Sequence, residues 1–238
     1  MEMMIVLILM HILGDYYLQT NKIAYSKSNI DCSNGKIVNF KYLTIHSLSY
    51  VIPFLLLFFV IKWYWCLLII GICLVTHWII DLFTCWFKRK TKKTFAFLLD
   101  QTIHIIILYA MFKIFDFDMN IILGYENLIY KSTIILFLIK PSIVIVNHIF
   151  NDAFEEENIK DDGKFDVGAI IGVFERIIIL VLSIFNAITA VAIIITVKTW
   201  ARSNDIKTKE GFGNKYLIGT LVSISLALIA AYFWYIIK

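Results

Sequence analysis

Residues 77–104 read HWIIDLFTCWFKRKTKKTFAFLLDQTIH, and this stretch decides the fold expected for the chain. A histidine and an aspartate lie four residues apart on each side of a basic segment, as His77 with Asp81 and as Asp100 with His104. Side chains four residues apart share one face of an α-helix. Two helices joined by a short polar turn usually pack antiparallel. The stretch therefore predicts a helical hairpin whose two His/Asp pairs face each other as a candidate metal site.

The composition of the whole chain is typical of an integral membrane protein. Of the 238 residues, 60% are hydrophobic and 16% are aromatic, and the mean hydropathy is +0.80. An ordinary globular chain is about 45–50% apolar, so one soluble domain could not bury this many apolar side chains. A transmembrane helix needs about 20 apolar residues. We predict an all-α, polytopic helical membrane protein with six or seven transmembrane helices.

Apolar runs divide the chain into two predicted domains. Residues 1–115 form a four-helix membrane domain, and residues 116–238 supply the C-terminal membrane helices and an acidic loop at 152–166. Pro53 predicts a kink in the second run, and Pro141 makes the fifth run either a span or a broken, re-entrant segment. The apolar runs cover about 3–19, 43–61, 65–87, 95–115, 129–149, 167–197 and 216–237.

More polar residues occur in the first two runs. His11, Asp15 and Gln19 follow one another at steps of four, which on an α-helix places them in one stripe. Gly14 beside them would allow another backbone or a substrate to approach closely. His46 lies near the start of the second run. If the helices alternate in direction, all the histidines and aspartates of the first four helices fall toward the same membrane face.

The loops indicate which face this is. Segments 20–42 and 88–94 hold four and five cationic residues, whereas the opposite loop near Lys62 holds one. Cytoplasmic loops carry an excess of lysine and arginine. We therefore expect the shared face to be cytoplasmic and the N-terminus to lie outside.

Polar groups inside membrane helices are costly, so three His/Asp pairs at one level indicate a function. Imidazole and carboxylate ligands without cysteine suit a divalent metal, zinc first and manganese or iron as alternatives. Their number allows two or more ions, and such sites commonly hydrolyse phosphoesters. Asp15 or Asp100 could instead act as a general base, and Gln19, Gln101 and Arg176 are candidates for holding substrate or orienting the site. The candidate metal ligands are His11, Asp15, His46, His77, Asp81, Asp100 and His104.

Several motifs also resemble a known family. HILGDYYLQT, LTIHSLSY, THWIIDL and LLDQTIH are similar to the bacterial membrane family catalogued as domain of unknown function 3307, over about residues 5–115. KPSIVIV, GAIIGVFERIIIL and YLIGTLVS resemble the C-terminal half of its longer members. The resemblance implies a helical, multi-pass protein of the bacterial cell (inner) membrane and no settled activity.

A more distant likeness concerns the His-x-x-x-Asp pairs. They resemble those of the zinc phospholipase C superfamily and of bacterial membrane-bound metal-dependent hydrolases. That likeness implies that the three pairs, with His46 as an additional ligand, hold the metal. The hydrolase interpretation rests partly on this comparison.

The same pattern of residues is also compatible with two other classes of function. The same groups could form the ion or proton pathway of a transporter or channel, or the protein could be a noncatalytic scaffold or sensor. Membrane lipid and an anionic, phosphate-containing substrate are the expected partners. A net charge of +4 gives no reason to expect nucleic acid as a dedicated partner.

Overall fold

The computed structural model describes residues 2–20, 23, 39–88, 90–115, 124–154 and 167–236. All regular structure in these ranges is helical, which confirms the all-α prediction. A π-helical turn, Leu13–Tyr17, follows α1, and a 3-10 helix, Pro53–Phe59, follows α2. The α-helices are α1 Glu2–Ile12, α2 Phe40–Tyr50, α3 Trp63–Phe87, α4 Lys93–Ile114, α5 Glu126–Phe154, α6 Val167–Ile184, α7 Ile188–Ala201, α8 Ser203–Thr208 and α9 Phe212–Ile236.

Helix length and hydropathy confirm the polytopic membrane architecture. Among the described residues, six helical segments are long and apolar enough to cross a membrane, while Met3–Tyr17 and Ile188–Ala201 are shorter apolar helices. Large apolar side chains face outward, such as Phe59 and Trp63, which are 71% and 66% exposed. The histidines and aspartates described between Glu2 and Ile114 lie inside instead. This inversion of the soluble pattern is expected when lipid replaces water as the solvent.

The chain divides into two compact units, Met1–Thr133 and Ile134–Lys238. The sequence placed the boundary near residue 115, whereas the structural division falls inside α5. Pro141 does not break this helix, which is continuous over 29 residues. The acidic segment predicted as a loop at 152–166 begins in the last turn of α5, and its residues 155–166 lie outside the described part of the chain.

The first unit is a bundle built from α1, α2, α3 and α4. α3 packs against α2 and α4, and α1 packs against α4, while the π-helical turn contacts α2. Apolar side chains fill the half of the bundle formed by the start of α1, the 3-10 helix, the start of α3 and the end of α4. This apolar core includes Leu7, Phe54, Leu57, Cys66, Ile69, Cys73, Leu108 and Met111.

A change of helix type marks the proline at which the second run was expected to kink. α2 ends at Tyr50, and the 3-10 helix starts at Pro53. Proline has no backbone N–H to donate and fixes its own φ, so it suits the first position of a new helical segment. The second run is therefore an α-helix followed by a 3-10 helix.

The second unit contains a helical hairpin where the hydropathy of the sequence predicted one continuous apolar run. The apolar run 167–197 consists of two helices, α6 and α7, which pack against each other. Asn186 adopts φ 57° in the turn between them, a left-handed conformation that asparagine tolerates better than most residues. Ile179, Val191 and Ala227 form the buried contact of α6, α7 and α9.

Candidate metal centre

The π-helical turn controls the position of Asp15. The backbone N–H of Leu18 donates to the carbonyl oxygen of Leu13 at 3.0 Å, a π-type bond spanning five residues. The wider turn changes the phase of the side chains. His11 contacts Tyr50 and Asp15 contacts His46, while both contact Gln101. Gln19 lies beyond the end of the turn, and the predicted α-helical stripe does not extend to it.

Gly14 brings this turn against α2. A Cβ at Gly14 would overlap the backbone oxygen of Tyr50. The close backbone approach predicted at Gly14 is therefore confirmed, and it places Asp15 beside His46, one helical turn before Tyr50. Each of these three helical side chains, Asp15, His46 and Tyr50, is at least nine-tenths buried.

Two histidines and two aspartates converge at the centre of the site. The Nε2 atoms of His46 and His77 are 3.0 Å apart. His46 Nε2 lies 3.2 Å from Asp15 Oδ1 and 3.4 Å from Asp81 Oδ2. The corresponding distances from His77 Nε2 are 4.0 and 3.7 Å. Carboxylate oxygens from Asp15 and Asp81 thus lie within 4.0 Å of one or both of these two Nε2 atoms.

These separations fit a cation better than hydrogen bonding alone. Tetrahedral ligands at ordinary zinc bond lengths lie about 3.3–3.6 Å apart, close to the values found here. An imidazole Nε2 carries at most one proton, so His46 cannot donate to both carboxylates and to His77 at once. A metal ion would accept the Nε2 lone pairs of both histidines and balance the carboxylate charges. The ligand types and their spacing therefore could hold a divalent metal ion.

A second group of potential ligands overlaps the first. Within the described residues, Asp15, His46 and His77 form one set, and His77, Asp81 and His104 form another, with ligand atoms of each set within 4.8 Å of one another. Every member of both sets is buried. The Nε2 lone pair of His77 can bind only one ion, whereas the Asp81 carboxylate has two oxygens that could bridge. A two-ion arrangement would therefore use Asp81, and not His77, as the shared ligand.

Gln101 connects the Asp15 carboxylate of the π-helical turn with the Asp100 carboxylate of its own helix, α4. Its Nε2 donates to Asp15 Oδ2 at 3.0 Å and to Asp100 Oδ2 at 3.1 Å. Its Oε1 accepts from the Tyr16 hydroxyl at 2.8 Å and lies 3.2 Å from His11 Nε2. Both ends of the amide are used, so the contacts fix which atom is oxygen and which is nitrogen. Gln101 thereby orients two acids of the site.

His11 lies beside the centre with both ring nitrogens engaged. If its Nε2 donates to Gln101, its Nδ1 must accept from the Tyr50 hydroxyl, 3.2 Å away. The Tyr50 ring is stacked on His77, with centroids 3.7 Å apart and planes at 3°. His11 is therefore joined to the ligand His77 through Tyr50. Its predicted role as a ligand stays a prediction, and its present contacts suit an orienting role.

Asp100 and His104 lie on the α4 side of the site. Asp100 Oδ1 accepts from the Thr84 hydroxyl at 2.7 Å and lies 3.8 Å from His104 Nε2. His104 Nε2 is buried without a hydrogen bond among the described residues. The His104 ring centroid is 4.6 Å from that of His77. This nitrogen faces a carboxylate and the two-histidine centre, as a second ligand position would require.

The structure thus brings together the predicted ligands of α1 to α4 and also Gln101. Gln19 lies past the helix end, and Arg176 belongs to the second unit. Tyr16, Tyr50 and Thr84 also contact the site but were not predicted from the sequence. Tyr50 follows His46 by four residues, so its place on the same helix face was visible. Thr84 follows Asp81 by three residues, which gives the same signal.

The site lies inside the bundle, away from the ends of its helices. His77 precedes the end of α3, Phe87, by ten residues, which corresponds to about 15 Å of helix. Asp100 follows the start of α4, Lys93, by seven residues, or about 10 Å. A substrate must therefore reach below the helix ends that carry the basic segment 88–93.

Comparison with known proteins covers the same part of the chain. The family described as "Protein of unknown function (DUF3307)" matches residues 3–127, slightly more than half of the chain. The protein belongs to the DUF3307 family. This match confirms the predicted family resemblance. The matched region of this DUF3307 protein contains every histidine and aspartate of the centre. No curated protein and no solved structure matches the chain.

Proposed function

We propose that the first unit of this DUF3307 protein is a membrane-embedded, metal-dependent hydrolase that acts on a phosphoester at the cytoplasmic face. The observation that carries the proposal is the convergence of Asp15, His46, His77 and Asp81. Their ligand atoms face one another inside an apolar bundle. Burying these groups is expensive without a cation that compensates them.

The residues divide into ligands and supporting groups. Asp15, His46, His77 and Asp81 would hold one ion, and His104 with Asp81 would hold a second. Zinc suits this ligand set best, and manganese or iron would also fit. When bound, the metal would supply electrophilic activation of a phosphoryl oxygen and a more acidic water. Asp100 lies next to these ligands and is oriented by Thr84 and Gln101, so we assign it the role of general base.

The surroundings favour an amphiphilic phosphoester as substrate. The basic segment 88–93 follows α3 at the end of the bundle nearest the site, and it would attract a phosphate group. The site lies about 10–15 Å below that end, among helices whose outer surfaces are apolar. A lipid or lipid-linked substrate can reach this depth while its apolar part stays in the bilayer. We also propose that the protein lies in the bacterial inner membrane, which the resemblance to a bacterial membrane family implies and the six long apolar helical segments support.

The first test is metal content, measured by mass spectrometry on detergent-purified protein. Wild-type protein should contain stoichiometric zinc, manganese or iron, and a His77→Ala/Asp81→Ala variant should lose it while remaining folded. A His148→Ala/Asp152→Ala variant is the matched control, because it removes the same residue types at the same spacing from α5. Metal should be retained in this control. Metal-free wild-type protein, even after purification in supplemented buffer, would overturn the proposal.

The second test separates hydrolysis from transport. Metal-loaded protein should release phosphate from phosphoester lipids, and Asp100→Asn should abolish that release while retaining the metal. Bound metal without hydrolysis, combined with ion or proton flux in proteoliposomes, would instead assign the His/Asp cluster to a transport pathway. Hydrolysis that survives loss of the metal ligands would contradict the mechanism.

A further inference from the structure

The candidate metal centre is less enclosed on one side than on the other. His46 is 0% exposed, whereas Asp15 and Asp100 are 8% and 7% exposed. Gln101 donates to both of these carboxylates, and the Tyr16 hydroxyl donates to Gln101. Both Tyr16 and Gln101 are half-buried, so their side chains form the outer layer of this side. A group that enters the centre from this side meets Tyr16 and Gln101 before it meets the histidines.

The amide oxygen of Gln101 is supplied with two hydrogen-bond donors. Oε1 accepts from the Tyr16 hydroxyl at 2.8 Å and lies 3.2 Å from Nε2 of His11, the ring nitrogen that carries the proton when Nδ1 accepts. The amide nitrogen has two acceptors, in Asp15 and Asp100. If the Tyr16 hydroxyl turned to another acceptor, Oε1 would keep the bond from His11. Gln101 would therefore hold its position without Tyr16.

The hydroxyls of Thr84 and Tyr50 also contact the centre, but they are less easily redirected. The Thr84 hydroxyl donates to Asp100 Oδ1 at 2.7 Å, and the Tyr50 hydroxyl lies 3.2 Å from His11 Nδ1. Thr84 and Tyr50 are 5% and 2% exposed. Turning either hydroxyl away would deprive a buried acceptor of a donor, which carries a free-energy cost. Of these three hydroxyls, that of Tyr16 is the one that the site can offer to a substrate at the lowest cost.

The charges on this side of the centre determine which kind of donor suits it. Asp15 and Asp100 would repel an anionic group unless a metal ion compensated their charge. Tyrosine offers an uncharged O–H donor, which does not compete with a cation for the carboxylates. Donors that are held in place before the reaction, tyrosine among them, stabilise the charge that develops on oxygen in a transition state. The Tyr16 hydroxyl therefore suits a phosphoryl oxygen that lies beside the carboxylates.

The π-helical turn places Tyr16 and Asp15 together. Both residues belong to the turn Leu13–Tyr17, and Gly14 of the same turn lies against the backbone oxygen of Tyr50. The contact that sets the position of the candidate ligand Asp15 thus also sets the position of the Tyr16 backbone. A donor carried by the same packed element as a ligand is held in a fixed relation to it, as a functional site requires.

We infer that Tyr16 is a substrate-binding residue, whose hydroxyl turns from Gln101 to a non-bridging oxygen of the phosphoryl group when substrate enters. This assignment rests on the proposed hydrolase function, because the carboxylates admit a phosphate only beside a metal ion. It separates the roles of two side chains that are bonded to each other. Gln101 orients Asp15 and Asp100, and Tyr16 contacts the substrate.

Phosphate binding tests the assignment without turnover. Zinc-loaded, full-length protein in detergent is titrated with inorganic phosphate by isothermal titration calorimetry. Tyr16→Phe keeps the ring and removes the hydroxyl. It should bind phosphate about tenfold or more weakly than wild type does, since a hydrogen bond to a charged group is stronger than a neutral one. Its zinc content, measured by mass spectrometry, and its zinc affinity, measured by competition with a chelator, should match those of wild type.

Two further variants separate substrate binding from support of the ligands. Tyr109→Phe removes a phenol hydroxyl from a residue of α4 that is 51% exposed, and it should bind phosphate and zinc as wild type does. Gln101→Leu should lower the zinc affinity, because it deletes the donors to Asp15 and Asp100. If Tyr16→Phe resembled Gln101→Leu in zinc affinity and bound phosphate normally once loaded, Tyr16 would be a supporting residue and the assignment would be overturned.

The outcomes for the metal centre and for Tyr16 can be told apart. If wild type and Tyr16→Phe both hold zinc and bind phosphate equally, the assignment of Tyr16 falls and the metal centre stands. If zinc-loaded wild type does not bind phosphate, the assignment and the phosphoester substrate fall together, while the metal centre again stands. Wild-type protein without metal would overturn both this assignment and the proposed function.

Discussion

Gln101 shows how one neutral side chain can organise several charged ones. Its amide group donates to two carboxylates and accepts from a tyrosine, with His11 as a further donor. In a membrane interior, water does not compete for these bonds, and each donor left without an acceptor carries a cost. The amide therefore holds Asp15 and Asp100 in place without adding a charge that would oppose metal binding.

Replacing Gln101 should weaken metal binding without removing a ligand. Gln101→Leu keeps the approximate size of the side chain but deletes both donors to Asp15 and Asp100. Loss of such supporting bonds typically lowers metal affinity by about 10–100-fold, and competition with a chelator would measure the change. The control is Thr102→Val, since this exposed threonine donates only to its own helix. Equal affinities for the two variants would contradict the role assigned to Gln101.

Tyr50 offers a test of the hydrogen bond to His11. Tyr50→Phe keeps the ring that stacks on His77 but removes the hydroxyl that donates to His11 Nδ1. We expect the free energy of unfolding to fall by about 1–2 kcal/mol, because a buried nitrogen loses its donor. Denaturation in detergent would measure it, with Tyr109→Phe on the exposed side of α4 as the control. No difference between the two variants would show that the bond does not contribute to stability.

The π-helical turn is the element on which the α1 side of the centre depends. Residues 13–17 carry Asp15 toward His46, and Gly14 lets the turn lie directly against the backbone of α2. π-helical turns inside α-helices occur frequently at functional sites. Here the turn carries Asp15 to His46, while His11 contacts Tyr50 and both residues contact Gln101.

A methyl group at Gly14 should disturb this contact. Gly14→Ala places a Cβ against the backbone oxygen of Tyr50, which cannot move as a side-chain tip can. We expect a loss of about 1–3 kcal/mol in unfolding free energy and weaker metal binding. Gly71→Ala is the control, because a Cβ there meets nothing within 4 Å; its stability should be unchanged or slightly higher. Equal stability of both variants would contradict the close packing of the turn.

Sequence spacing predicted those parts of the site that lie on regular α-helices. His77 with Asp81, and Asp100 with His104, fall on one face because α3 and α4 are continuous through them. Gln19 did not follow its predicted stripe because a π-helical turn and a helix end interrupt the four-residue period. Nothing in the local sequence around Asp15 specifies a π-type bond, which depends on packing against α2.

The hairpin of α6 and α7 illustrates the same limit at the level of elements. Hydropathy marks residues 167–197 as apolar but does not locate a turn inside them. Asn186 was the available signal, since asparagine accepts a left-handed backbone. At Pro141 the sequence suggested a possible break, but α5 continues through this residue. A long helix packed along its length can continue through a proline.

At the scale of the whole molecule, charge predicts the orientation of the second unit. The end of the second unit formed by the end of α7, by α8 and by the start of α9 carries several basic residues and is called the polar end here. The turn 185–187, between α6 and α7, has no charged residue. By the positive-inside tendency, we expect this polar end to be cytoplasmic. These basic residues are Lys198, Arg202, Lys207, Lys209 and Lys215.

Cysteine labelling would test this orientation. In a background with the native cysteines replaced, Lys207→Cys should react with a membrane-impermeant maleimide only after cells are permeabilised. Phe185→Cys, at a residue 77% exposed in the opposite turn, should react in intact cells. The reverse labelling pattern would show that the polar end lies outside.

The shortness of the first helical segment has a consequence for the supply of water to the site. Met3–Tyr17 is apolar over 15 residues, or about 22 Å, against about 30 Å for the hydrocarbon layer. A short segment is accommodated by local thinning of the bilayer, by snorkelling of flanking residues or by oligomerisation. Thinning beside α1 would bring the headgroup region nearer to Asp15 and shorten the distance over which water must reach the π-helical turn. The thickness of the surrounding membrane would then influence the hydration of the candidate metal centre.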